Sequence, residues 1–116
     1  PPFTRMMRIV ISSPYSDLAL QTAKELARTL EQSLQQIRAS EPTKSGLAFP
    51  ELGEILGPTS APLEKIRGRY RHHLIIKSNS SKLLSLLGQQ TLHLRKMTRK
   101  KDDIRIMVDM DPLDML

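Results

Sequence analysis

Three arginines at alternate positions, Arg67, Arg69 and Arg71, stand in the stretch EKIRGRYRHHLIIKS, Glu64 to Ser78. Guanidinium binds phosphate or carboxylate oxygens through a planar fork, so such a row suits a polyanion. If residues 63–77 form one strand, the three share a face at intervals of about 6.6–6.8 Å. Phosphates along one DNA strand rise by about 3.4 Å, so each interval covers two phosphate steps. Nothing in the row reads base edges, and Phe3, Phe49, Tyr15 and Tyr70 are too few to stack several bases. The predicted binding is salt-sensitive and prefers shape to sequence. Protein carboxylates fit the same forks. Asp109 and Asp111, on a predicted neighbouring strand, offer an internal or interdomain pairing, and both roles stay open.

Charge distribution favours the polyanion. Residues 1–64 carry 6 Lys/Arg against 7 Asp/Glu, a net of −1; residues 65–105 carry 12 against 2, a net of +10; residues 106–116 add three Asp. Lys65 and Lys77 flank the arginine row. A second cluster, RKMTRKK, supplies Arg95, Lys96, Arg99 and Lys100 at the end of a predicted helix. The helix dipole favours positive charge there for structural reasons too. A solvated surface of biased sign is the plainer explanation of the same block.

Other chemistries lack their residues. No G-x-x-x-x-G-K-[ST] phosphate loop is present, and there is no Cys for thiolate metal sites or disulfides. His72 and His73 are adjacent, hence on opposite faces of a strand, and His93 is distant, which is poor zinc spacing. Asp109 and Asp111 would share a strand face and suit Mg²⁺, although such a pair more often ends a strand and pairs with a basic side chain. No nucleophile–base set emerges, and no catalysis by this chain is expected.

The elements that must hold these residues follow from periodicity. TRMMRIVIS, Thr4 to Ser12, predicts a strand. Leu20, Ala23, Leu26, Ala27, Leu30, Leu34 and Ile37 make one helical stripe, capped by Ser13 or Ser16. Residues 40–53 are aperiodic and predict a mobile loop. A short strand around residues 54–56 precedes Gly57-Pro58 and the long strand ending near Lys77. Ser80 caps a second helix bearing Leu83, Leu84, Leu87, Leu94 and Met97, weakened at Gly88 by roughly 1 kcal/mol relative to Ala. Ile104, Ile106, Val108 and Met110 alternate in a last strand stopped by Pro112. The order is β-α-β-β-α-β, an α+β split-βαβ sheet with two helices on one face. No apolar run is long enough to span a membrane. The start at Pro1-Pro2 without Met leads to the expectation of a piece of a longer chain.

Several separated motifs carry a resemblance. Pro1-Pro2-Phe3, Gly57-Pro58, Ala61-Pro62, Arg67-Gly68-Arg69-Tyr70-Arg71 with Leu74-Ile75-Ile76, and Val108-Asp109-Met110-Asp111-Pro112 together resemble the C-terminal domain of the primosomal replication-restart helicases, the PriA or primosomal protein N′ family. The resemblance spans essentially the whole chain and is most specific in the last 60 residues. It implies a ribosomal S10-like sheet, and residues 1–116 as a single C-terminal domain of a larger helicase. It further implies an ATP-dependent 3′→5′ DNA helicase as parent, with ATP, Mg and Zn bound outside this segment and no cofactor within it. The implied partners are forked or single-stranded DNA, single-stranded-DNA-binding protein, the helicase lobes of the same chain and primosome proteins. The implied location is the bacterial cytoplasm, at the nucleoid. The site for the tail of single-stranded-DNA-binding protein matches Ser81, Lys82 and Ser85 here, with Ser81 where some relatives have Arg. Docking onto helicase lobes or onto that protein, without DNA contact, is the alternative function.

Overall fold

The computed structural model of the chain describes residues 5–40, 53–59, 62, 64–97 and 103–111. Its elements are β1 (Arg5–Ser13), α1 (Ser16–Ser40), β2 (Glu54–Leu56), β3 (Glu64–Ile66), β4 (Arg69–Ser78), α2 (Ser81–Met97) and β5 (Arg105–Met110). The sheet order is β2-β4-β1-β5, all neighbours antiparallel, with β3 pairing the same edge of β4 as β2. The expected β-α-β-β-α-β order therefore holds, with the short β3 added before β4. The loop expected over residues 40–53 falls almost wholly outside the described residues.

Alternation in β1 decides where the core lies. Met7, Ile9 and Ile11 point to one face and are fully buried there. They meet Leu74 and Ile76 of β4 and Ile106 of β5, beneath Ala23, Leu26, Leu30 and Leu34 of α1 and Leu83, Leu84 and Leu87 of α2. Both helices thus cover the same face. Val10 points the other way and is buried between its cross-strand partners His73 and Met107.

Local chemistry sets the helix ends. The Tyr15 carbonyl accepts the first helical bond of α1, from the Ala19 N–H at 3.0 Å, while Ser13 Oγ accepts the Tyr15 N–H at 3.0 Å. The N-cap position is thus Tyr15 and neither of the expected serines, although Ser13 braces the turn that enters the helix. Ser80 caps α2 as expected, its Oγ accepting the Leu83 N–H at 3.1 Å. Gly88 has a packing reason. A Cβ there would stand 3.2 Å from Met7 Sδ, so its absence lets α2 lie close on β1. Met97, expected on the apolar stripe, is instead 69% exposed at the end of α2.

The long strand expected over residues 63–77 is a correction. It folds back as a hairpin, with Glu64–Ile66 against Arg71–Arg69 and Arg67-Gly68 as the two-residue loop. Further along the same edge, β2 pairs with Lys77–Ile75. The chain between β2 and β3 leaves that edge at Gly57, whose φ is 95° and whose added Cβ would lie 2.6 Å from the His73 carbonyl oxygen. Only glycine suits that close approach. Gly57→Ala is expected to destabilise the fold by at least about 2 kcal/mol through backbone strain and overlap. Urea unfolding of the variant beside the parent checks this, and an unchanged midpoint would contradict it.

Candidate nucleic-acid interface

The hairpin loop determines where the arginines stand. A two-residue hairpin of the I′ type needs positive φ at both central residues, and Arg67 has φ 53° and Gly68 φ 78°. Arg67 is thus on the exposed tip rather than in a strand row. Arg69 and Arg71 do share a face, as expected from their spacing, and it is the face the helices leave bare. Arg69 donates from Nε to Ser12 Oγ at 3.2 Å and from Nη2 to the Ser12 carbonyl at 3.0 Å. Arg71 Nε lies 3.4 Å from Glu64 Oε1. Lys65 opposes Tyr70 in register, and its Nζ stands 4.7 Å from the ring centroid.

Register then brings in a residue that the sequence reading missed. Ser12 pairs with Arg71 on one side and with Arg105 on the other, so Arg105, Ser12, Arg71 and Glu64 form one transverse row. At 4.7–4.9 Å per strand, Arg105 and Arg71 are about 10 Å apart at their backbones. Arg105 is exposed. Only the alternation of residues 105, 107 and 109 hinted at its face. Arg95, at the end of α2, donates to the Ile106 carbonyl at 3.3 Å and so joins this end of the sheet, with exposed Lys96 beside it. Among the described residues, Lys65, Arg67, Arg69, Arg71, Arg95, Lys96 and Arg105 therefore gather at one end, against Glu64, Asp17 and Asp103. Arg99 and Lys100 lie outside the described residues.

The remaining candidates sit at the opposite end. Lys77 follows Arg69 by eight residues of β4, about 26 Å, and pairs across to Glu54. Ser81, Lys82 and Ser85 are exposed on the first turns of α2. Ser81 Oγ accepts from Arg5 Nη1 at 2.6 Å, and Arg5 Nη2 reaches Asp111 Oδ2 at 3.0 Å. Arg8 pairs with Asp109 at 2.9 Å. The suggested pairing of the 67–71 arginines with Asp109 and Asp111 is thus corrected. These carboxylates face β1, whose own arginines take them. The Met6 N–H, bound to Asp111 Oδ1 at 2.9 Å, and then Arg5 hold the Asp111 carboxyl below its ordinary range. No group of three metal-ligating side chains occurs among the described residues. No described helix is long and apolar enough to cross a membrane.

The histidines divide as expected for adjacent strand positions. His73 stands on the bare face, its Nε2 4.0 Å from Glu64 Oε1. His72 is buried on the helix-covered face, where neither ring nitrogen has a well-formed hydrogen bond. Burial lowers its pKa, opposed in part by the nearby Thr59 main chain.

Residues 1–113 match the pattern of the primosomal protein N C-terminal domain. The chain belongs to that family. As such it is an accessory domain and not a helicase catalytic region. The replication restart protein PriA of Bacillus subtilis is 33% identical over 63 residues, which is 54% of this chain but 8% of that protein's length. Among solved structures, a de novo designed protein with a ferredoxin fold superposes with a TM-score of 0.50 at 14% identity, over 95% of this chain and 86% of the other. That likeness concerns the fold alone.

Two outcomes follow for this PriA-family domain. Asn occupies positive φ more readily than Arg, so Arg67→Asn should raise stability by about 0.5–1 kcal/mol in urea unfolding. Loss of stability would place Arg67 in a contact. A His72 pKa lowered by folding makes the folded state bind fewer protons. Its stabilisation is full above the unfolded value near 6.5 and is lost as pH falls from there through the folded value. Unfolding free energy should therefore drop with acid by up to about 1.4 kcal/mol per pH unit in that window. This part of the slope should be absent in His72→Leu, and parallel pH curves for the two proteins would show that folding does not perturb the ring.

Proposed function

We propose that residues 1–116 act as a single DNA-binding accessory domain of an ATP-dependent, 3′→5′ replication-restart helicase, engaging the phosphate backbone of forked or single-stranded DNA. The supporting observation is the convergence of Lys65, Arg67, Arg69, Arg71, Arg95, Lys96 and the newly included Arg105 at one end of the sheet. Arg69 and Arg71 are oriented by Ser12 and Glu64, which holds their guanidiniums on the bare face of the sheet. Lys77 stands too far along β4 to join the same contact. The domain's place would be the bacterial cytoplasm, at the nucleoid. ATP, Mg and Zn would belong to other parts of the helicase.

A second function is protein docking, to helicase lobes, primosome proteins or single-stranded-DNA-binding protein. It draws on a different observation. The bare sheet face exposes Leu56, Ile66 and Met107, and Ser81, Lys82 and Ser85 lie exposed at the far end. The two can coexist on separate surfaces.

Fluorescence anisotropy of the chain with labelled fork, duplex and single strand, over a salt series, separates them. Contact with three to five phosphates gives a log–log salt slope of about −2 to −3.5 on single strands. Arg105→Ala should flatten it by about 0.7, the share of one phosphate. No binding at low salt by a folded domain would remove DNA from these arginines and leave docking.

A further inference from the structure

β5 pairs with β1 on one side, and among the described residues no strand pairs its other side. The Asp111 N–H donates to the Met6 carbonyl of β1 at 2.7 Å. Backbone groups alternate along an antiparallel strand, so the odd-numbered residues of β5 bond β1. Ile106, Val108 and Met110 therefore aim their N–H and C=O groups at the outer edge. The Arg95 guanidinium reaches the Ile106 carbonyl there at 3.3 Å, and that oxygen keeps a second lone pair. Natural edges are commonly blocked by Lys, Pro or a bulge. β5 has none of these: RIMVDM contains no Lys or Pro, and its six residues pair with β1 without interruption. Such an edge is a template for a further strand.

Its side chains identify that strand. On the bare face β5 presents Arg105, Met107 and Asp109, in that order. A second β5 laid antiparallel, with Met107 opposite Met107, sets each Arg105 against Asp109 of the other copy. Ile106 then opposes Val108 of the other copy, and these outward-facing residues exchange the hydrogen bonds. Shifting the register by two residues sets Met107 against a charge instead, and shifting it by one misaligns the N–H and C=O groups. The groups required are accessible. Arg105 is exposed, Met107 is 54% exposed, and Arg8 takes only Oδ2 of Asp109.

We infer that β5 is a self-complementary edge through which two copies of this chain join their sheets, antiparallel about a two-fold axis at Met107. The contact is isologous, each copy supplying one cation and one anion. It is small beside a standard interface, so the dimer is weak and forms at high concentration. The pairing does not depend on DNA binding, and it competes with phosphate for Arg105.

The test uses the 116-residue chain without DNA. Sedimentation velocity from micromolar to millimolar concentration should show a reversible dimer. The chain has no cysteine, so one engineered thiol reports the register. Met107→Cys places two Cα atoms about 4.5 Å apart across the axis and should form an intermolecular disulfide in a glutathione buffer. Arg105→Cys stands about 14 Å from its own counterpart and should not. Met107→Lys opposes two like charges on the axis and should weaken the dimer about tenfold or more. Circular dichroism should show its fold unchanged, because the Met107 side chain is exposed. A parent that stays monomeric at millimolar concentration overturns the pairing. So does a Met107→Cys chain that links no faster than Arg105→Cys, or a dimer that Met107→Lys leaves intact.

Discussion

The central position of β1 is the constraint on which the rest of this domain depends. It pairs on both edges, and its inward residues Met7, Ile9 and Ile11 carry the contact with both helices. A slip of one residue in either pairing would turn that set to solvent, so the register is strongly specified. Polar groups follow the same register. Arg5 and Arg8 meet Asp111 and Asp109, Ser12 meets Arg69, and Ser13 holds the start of α1. One strand thereby organises the core, the two ends of the sheet and the entry to a helix.

The two ends differ in electrostatic design. Near the start of β1, arginines and carboxylates pair off, and Arg5 also secures the first turn of α2 through Ser81. Near its end, cations outnumber acids among the described residues, and the guanidiniums are held by a hydroxyl, by main-chain carbonyls and by Glu64. Partly neutralised charge at the first end stabilises the fold. Excess charge at the second creates a positive field with preset hydrogen-bond donors. The net charge of +6 alone could not separate these two uses of arginine.

Much of the architecture is legible in the sequence. The α1 stripe, the Ser80 cap, the first strand, and the family motifs all lie within short windows, where periodicity and capping chemistry act. The hairpin was not legible. Arg67-Gly68 lacks the Asn-Gly or Asp-Gly signal of a two-residue turn, and alternation of Arg, Gly, Arg, Tyr and Arg looks the same in one long strand. Met97 fits the stripe by spacing, but spacing alone does not show which members of a stripe are left exposed.

What the sequence by itself determined is therefore local: which segments are helix or strand, which side of each is apolar, and that positive charge is concentrated after residue 64. Only the tertiary structure decided which charges meet. Arg105 and Arg71 are 34 residues apart yet flank the same serine, and Arg5 reaches Asp111 across the length of the chain. Such contacts depend on strand register, which is set by packing of the whole sheet against both helices, and no window of neighbouring residues contains that information.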